Sequence, residues 1–81
     1  MAKYSNLDVL SALHPTVWRT PKEIFDLVNE AKGIIEDQTI YFVIIPILER
    51  LKDQGFVERQ ETRLGKKRKA EYRRTLLEYK G

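Results

Sequence analysis

Eighty-one residues with 42% hydrophobic content suffice for one domain with a modest core and exclude a generally disordered chain. The absence of cysteine excludes disulfides and cysteine-based metal sites, so an oxidising compartment is not required and the cytoplasm is the expected location. The net charge of +3 is unevenly placed: residues 1–54 carry 6 Lys/Arg against 8 Asp/Glu, and residues 55–81 carry 9 against 4. A basic C-terminal third points to a polyanionic partner, nucleic acid above all, with a solvated basic surface as the plain alternative.

The start, Met1-Ala2-Lys3-Tyr4-Ser5, lacks the apolar core of a secretion signal, and residues 1–6 are expected to fray. A first helix is predicted over about 6–14. Ser5 is its cap and Asp8 the capping-box partner, Val9, Leu10, Ala12 and Leu13 form its apolar face, and Pro15 ends it. His14, the single histidine, suits a helix end and carries no assigned function. Thr16–Arg19 reads as a short extended stretch in which Trp18 plugs the core or seals the base of the C-terminal hairpin, with base stacking as the rarer role. A second helix is predicted over 20–32, with Thr20 as N-cap, Pro21 at the first position, Glu23 closing the box and Gly33 as the stop. Ile24, Leu27, Val28 and Ala31 form its buried stripe, with Phe25 at the edge.

The third helix, predicted over 38–54, starts from Asp37 or Thr39 and buries Ile44, Ile47, Leu48 and Leu51, which recur at three- and four-residue steps. Pro46 removes one backbone bond and clashes with the Phe42 carbonyl, so a bend or a loosened first turn is expected. The alternative is a helix from about Val43 with Thr39–Phe42 extended. Gly55 ends the helix. A hairpin occupies 56–75, turning at Leu64-Gly65-Lys66-Lys67. Leu76 or Leu77 in the tail is expected to pack on the core from one helical turn. The run Thr39–Leu48 is too short to span a bilayer, so no membrane partner is expected.

The run Ile45-Pro46-Ile47-Leu48-Glu49-Arg50-Leu51-Lys52-Asp53-Gln54-Gly55-Phe56-Val57-Glu58 resembles the recognition helix and first wing strand of winged helix-turn-helix transcription regulators. Its proline and leucine spacing into Gly-Phe-Val-Glu is most similar to the PadR-like group. The basic turn and the run Glu71-Tyr72-Arg73-Arg74-Thr75 after it resemble the second wing strand, so the resemblance spans residues 7 to 75. It implies an α+β winged helix-turn-helix domain, a three-helix core plus a β-hairpin wing, with a small strand at 16–19 pairing with the wing. Sequence-preferring binding of double-stranded DNA by a small transcription regulator is the implied function. PadR-like and MarR-like proteins carry a longer C-terminal helix that makes their dimer. This tail is too short for one, so a homodimer is expected to use the first helix or the Tyr41–Ile45 patch.

A DNA reader needs cations at phosphates and side chains at base edges. Arg63, Lys66, Lys67, Arg68 and Lys69 cluster at the hairpin tip, with Arg59, Arg73 and Arg74 along its strands, and Lys22 sits near the N-terminus of the second helix. Opposite the core stripe of the third helix lie Gln38, Thr39 and Phe42, fit for an adenine edge or a thymine methyl, and Tyr41 at the border suits a phosphate. Glu49 and Asp53 share that face and would repel phosphates unless their end tilts away. The competing reading makes Tyr41–Ile45 a hydrophobic interface of an interaction or replication-accessory module. No glycine-rich phosphate loop, metal-ligand spacing or activated nucleophile is present, so neither catalysis, a cofactor nor a small-molecule ligand is expected.

Overall fold

The computed structural model describes residues 3–80. Met1, Ala2 and Gly81 lie outside the described residues, and with them the expected fraying of Met1 and Ala2. Along the chain come α1 (Asn6–Ser11), α2 (Pro21–Lys32), a 3-10 helix (Gln38–Ile44), α3 (Ile45–Asp53), β1 (Val57–Leu64) and β2 (Lys67–Arg74). The architecture is α+β, with three α-helices and a two-stranded antiparallel hairpin. Among the described residues no helix is long and apolar enough to cross a membrane.

Both N-terminal helices start where the sequence places a capping box. Ser5 Oγ accepts from the Asp8 amide, the Asp8 carboxylate accepts from the Ser5 amide, and Thr20 and Glu23 repeat the exchange with Pro21 at the first turn of α2. The Asp8 and Glu23 carboxyl groups both sit below the usual range. The Lys32 ammonium is the main cause at Asp8, and the Thr20 amide at Glu23. α1 is shorter than predicted, ending at Ser11, because Ala12 and Leu13 close it with tighter i→i−3 bonds before Pro15.

The third element departs from a single helix. Residues 38–44 are 3-10, with a kink at Ile40 (φ −90°, ψ 17°), and the α-helix begins only at Ile45 with Pro46 in its first turn. The proline carries no amide proton and its ring crowds the Phe42 carbonyl, so an α-helix cannot run through it unbroken. The expected loosening is therefore present and spreads over two turns, whereas Thr39–Phe42 is not extended. At the far end the Phe56 amide donates to Leu51 O at 2.9 Å and the Gly55 amide to Lys52 O at 3.0 Å. This Schellman closure needs the left-handed backbone of Gly55 (φ 86°).

Val9, Leu10, Ile24, Phe25, Val28, Ile44, Leu48 and Leu51 are essentially fully buried and join Tyr4, Ala12, Leu13, Val57 and Tyr72 in one core. At about 1.5–3 kcal/mol for each large apolar side chain, this burial is the main stabilising term. Three sequence expectations are corrected here. Phe25 is central rather than at the edge, because the Tyr4 ring packs on it at 5.5 Å. Ala31 is exposed. Tyr4 is not frayed: its hydroxyl donates to Asn29 Oδ1 at 2.7 Å inside the core.

Candidate nucleic-acid interface

The hairpin register runs from Val57↔Arg74 to Leu64↔Lys67, leaving a two-residue turn at Gly65-Lys66. Gly65 has φ 64° and no described non-glycine residue has positive φ, which defines a type II′ turn. Arg19 is bridged to Tyr72 through both backbone groups, at 2.9 and 2.7 Å, so the stretch expected as a small strand pairs with β2 at one residue. Half-buried Trp18 seals the base of the hairpin beneath the Arg73 guanidinium, 4.4 Å from its ring centroid.

Opposed residues share a face. One face carries Arg59/Tyr72, Glu61/Ala70 and Arg63/Arg68, and the other carries Glu58/Arg73, Gln60/Glu71 and Thr62/Lys69. The first face turns toward α3, where the buried Tyr72 hydroxyl donates to Glu49 Oε1 at 3.0 Å. Burial holds the Tyr72 phenol above its ordinary range, while Lys52, 2.6 Å from the Glu49 carboxylate, holds that carboxyl below its own. Glu49 also attracts Arg59 at 3.8 Å. Its charge is thus answered within the chain, and it does not stand out to repel phosphates from a solvated helix face.

Apart from half-buried Arg74, the hairpin's basic residues fall into two groups. Arg59 faces Glu49 and Glu61, and Arg73 is held by Glu58 at 2.5 Å and by Trp18, so these two brace the hairpin base. Arg63, Lys66, Lys67, Arg68 and Lys69 are exposed and form no ion pair among the described residues. Lys22 is likewise exposed in the first turn of α2, and the Lys69 charge is felt at the neighbouring Glu23 carboxylate.

Gln38, Thr39 and Phe42 stand exposed on the 3-10 helix, with Tyr41 at the limit of exposure. Phe42 is 58% exposed, and Val43 beside it is also open to solvent. The Asp37 carboxylate caps the segment by accepting from the Thr39 amide at 2.9 Å, which lowers its pKa. Sequence reasoning passed over Arg50. It is exposed and unpaired among the described residues, whereas its neighbour Lys52 is taken by Glu49. Its sign on the solvent face of α3 was the available signal.

No family model, no curated protein and no solved structure matches this chain.

Proposed function

We propose that the chain is a winged helix-turn-helix domain of PadR-like type that binds double-stranded DNA with sequence preference as a small cytoplasmic transcription regulator. One observation carries the reading. The hairpin engages Glu61 and Glu58 with Arg59 and Arg73 at the base, yet leaves Arg63, Lys66, Lys67, Arg68 and Lys69 at the tip outside any ion pair among the described residues. Five cations outside any ion pair, on a projecting ribbon, are an affinity device for a phosphate row. The element order and the Arg19 bridge beside the hairpin support it, being the layout the resemblance implies.

In this reading the wing grips phosphates, Lys22 adds a contact at the α2 N-terminus, and Gln38, Thr39 and Phe42 meet base edges. Neutralising Lys66, Lys67 and Arg68 together leaves the fold intact and weakens binding to every duplex alike. The log–log salt dependence flattens by about 0.9 for each phosphate that the wing no longer neutralises. Binding constants across a salt series, for wild type and triple alanine variant on target and random duplexes, provide the check. An unchanged slope removes the wing from the interface.

A second reading rests on exposed apolar area. Phe42, Val43 and Tyr41 are open to solvent with no cation among residues 33–49, which suits a protein-docking module. Duplex affinity that is absent at low salt favours it.

A further inference from the structure

β1 is the open edge of the hairpin. On the far side of β2, Tyr72 exchanges both backbone bonds with Arg19, and the Arg74 amide donates to His14 O. In an antiparallel ladder, successive residues point their backbone groups alternately toward and away from the partner strand. Tyr72 points away from β1, so its register partner Arg59 points away from β2, and at a period of two so do Val57, Glu61 and Arg63. Among the described residues no strand receives these groups. Such an edge is a template for a further strand unless its side chains forbid the pairing.

We propose that β1 pairs antiparallel with β1 of a second copy of this chain, about a two-fold axis at Thr62. In that register Glu61 of each copy faces Arg63 of the other, the outward backbone groups of both residues are bonded, and Thr62 meets Thr62. The complementarity is register-specific. A two-fold axis at Glu61 sets Glu61 against itself and Arg59 against Arg63, and like charges directly opposed are disfavoured. An axis at Gln60 also pairs unlike charges, but it runs the second copy's Gly65-Lys66 turn into Gln54 and Gly55 at the end of α3. The Thr62 axis stops that turn beside Glu58 and Arg59. It also answers a tension within one chain. Arg63 stands directly opposite Arg68 on one face, neither has an ion-pair partner among the described residues, and Glu61 of the second copy supplies one. The seam does not depend on DNA binding, so it is tested without DNA.

Sedimentation of the full chain over a range of protein concentration, at low and high salt, reads the association. Glu61→Arg or Arg63→Glu alone turns two favourable charge pairs into two unfavourable ones and weakens association by about tenfold or more. The double variant Glu61→Arg/Arg63→Glu restores the pairs and with them the dimer. Because the chain has no cysteine, Thr62→Cys introduces a single thiol. At a non-hydrogen-bonded two-fold position the paired Cα atoms lie about 4.5 Å apart, within disulfide reach, so mild oxidation captures the dimer. Gln60→Cys, displaced from the axis, cross-links much more slowly. Circular dichroism confirms that each variant is folded. Wild type that stays monomeric at the highest soluble concentration overturns the proposal. So does association that neither single swap weakens, or Gln60→Cys cross-linking as fast as Thr62→Cys.

Discussion

Tyr4 and Asn29 show how single polar atoms set the core. The Asn29 side chain is buried, and the Tyr4 hydroxyl satisfies its Oδ1 at 2.7 Å. Tyr4→Phe keeps the ring against Phe25 but strands that oxygen, so stability falls by about 1–3 kcal/mol in a urea titration. Adding Asn29→Leu, which removes the orphaned group, recovers a large part of the loss. A loss below the error of the titration would show that water already serves Asn29. Neither partner was legible in the sequence. Tyr4 lies outside any periodic stretch, and Asn29 comes after the apolar Leu27 and Val28 as an ordinary polar helix residue. Their bond spans 25 residues, a distance at which no local pattern speaks. Glu49 was misread partly for the same reason, since Tyr72 arrives from 23 residues downstream, although its closest ion-pair partner Lys52 stands three residues along the same helix.

At the scale of elements, legibility tracked local chemistry. α2 was readable end to end because Thr20, Pro21, Glu23 and Gly33 act on backbone groups within a turn of themselves. The hairpin was readable from Gly65 and its flanking runs, which also fix its two-residue turn. The third element was half readable: proline announced a disturbance, but its extent depends on how residues 38–44 pack on α2, which periodicity does not encode. Pro46→Ala tests the cause. It returns an amide proton that can donate to Phe42 O and removes the ring from that carbonyl. The last 3-10 turn then converts to α-helix, and ellipticity at 222 nm becomes more negative. Net stability shifts by less than about 1 kcal/mol, because the regained bond is offset by the greater freedom of the unfolded alanine chain. An unchanged spectrum would assign the 3-10 geometry to packing against α2 instead.

Across the whole molecule, charge and apolar surface are segregated. The wing tip is cationic, while the exposed 3-10 helix offers Gln38, Thr39 and Phe42 with no cation of its own. The tail closes the other side by a route the sequence did not reveal. Leu76 is 93% exposed, and the anchor is Tyr79, edge-on to Phe56 at 5.1 Å and bonded to Asn6. The expected helical turn is not formed among the described residues and Leu77 is half exposed, so no periodicity marks the anchor, and an aromatic ring with a hydroxyl reaches two elements at once. Under the proposed DNA-binding function, this segregation predicts a division of labour. Gln38→Ala and Thr39→Ala each remove a group suited to a base edge without touching a phosphate contact. Each therefore costs about 1–3 kcal/mol on a target duplex and leaves random-duplex binding unchanged. The salt slope stays at its wild-type value, because slope counts phosphates. The fold survives, since both side chains are exposed. The capping bond from the Thr39 amide to Asp37 uses backbone and is kept in both variants. Parallel titrations on target and random duplexes at two salt concentrations separate the effects. Full target preference in both variants, with the wing still salt-sensitive, would leave a sequence-neutral phosphate binder and assign the exposed Phe42 surface to a protein partner.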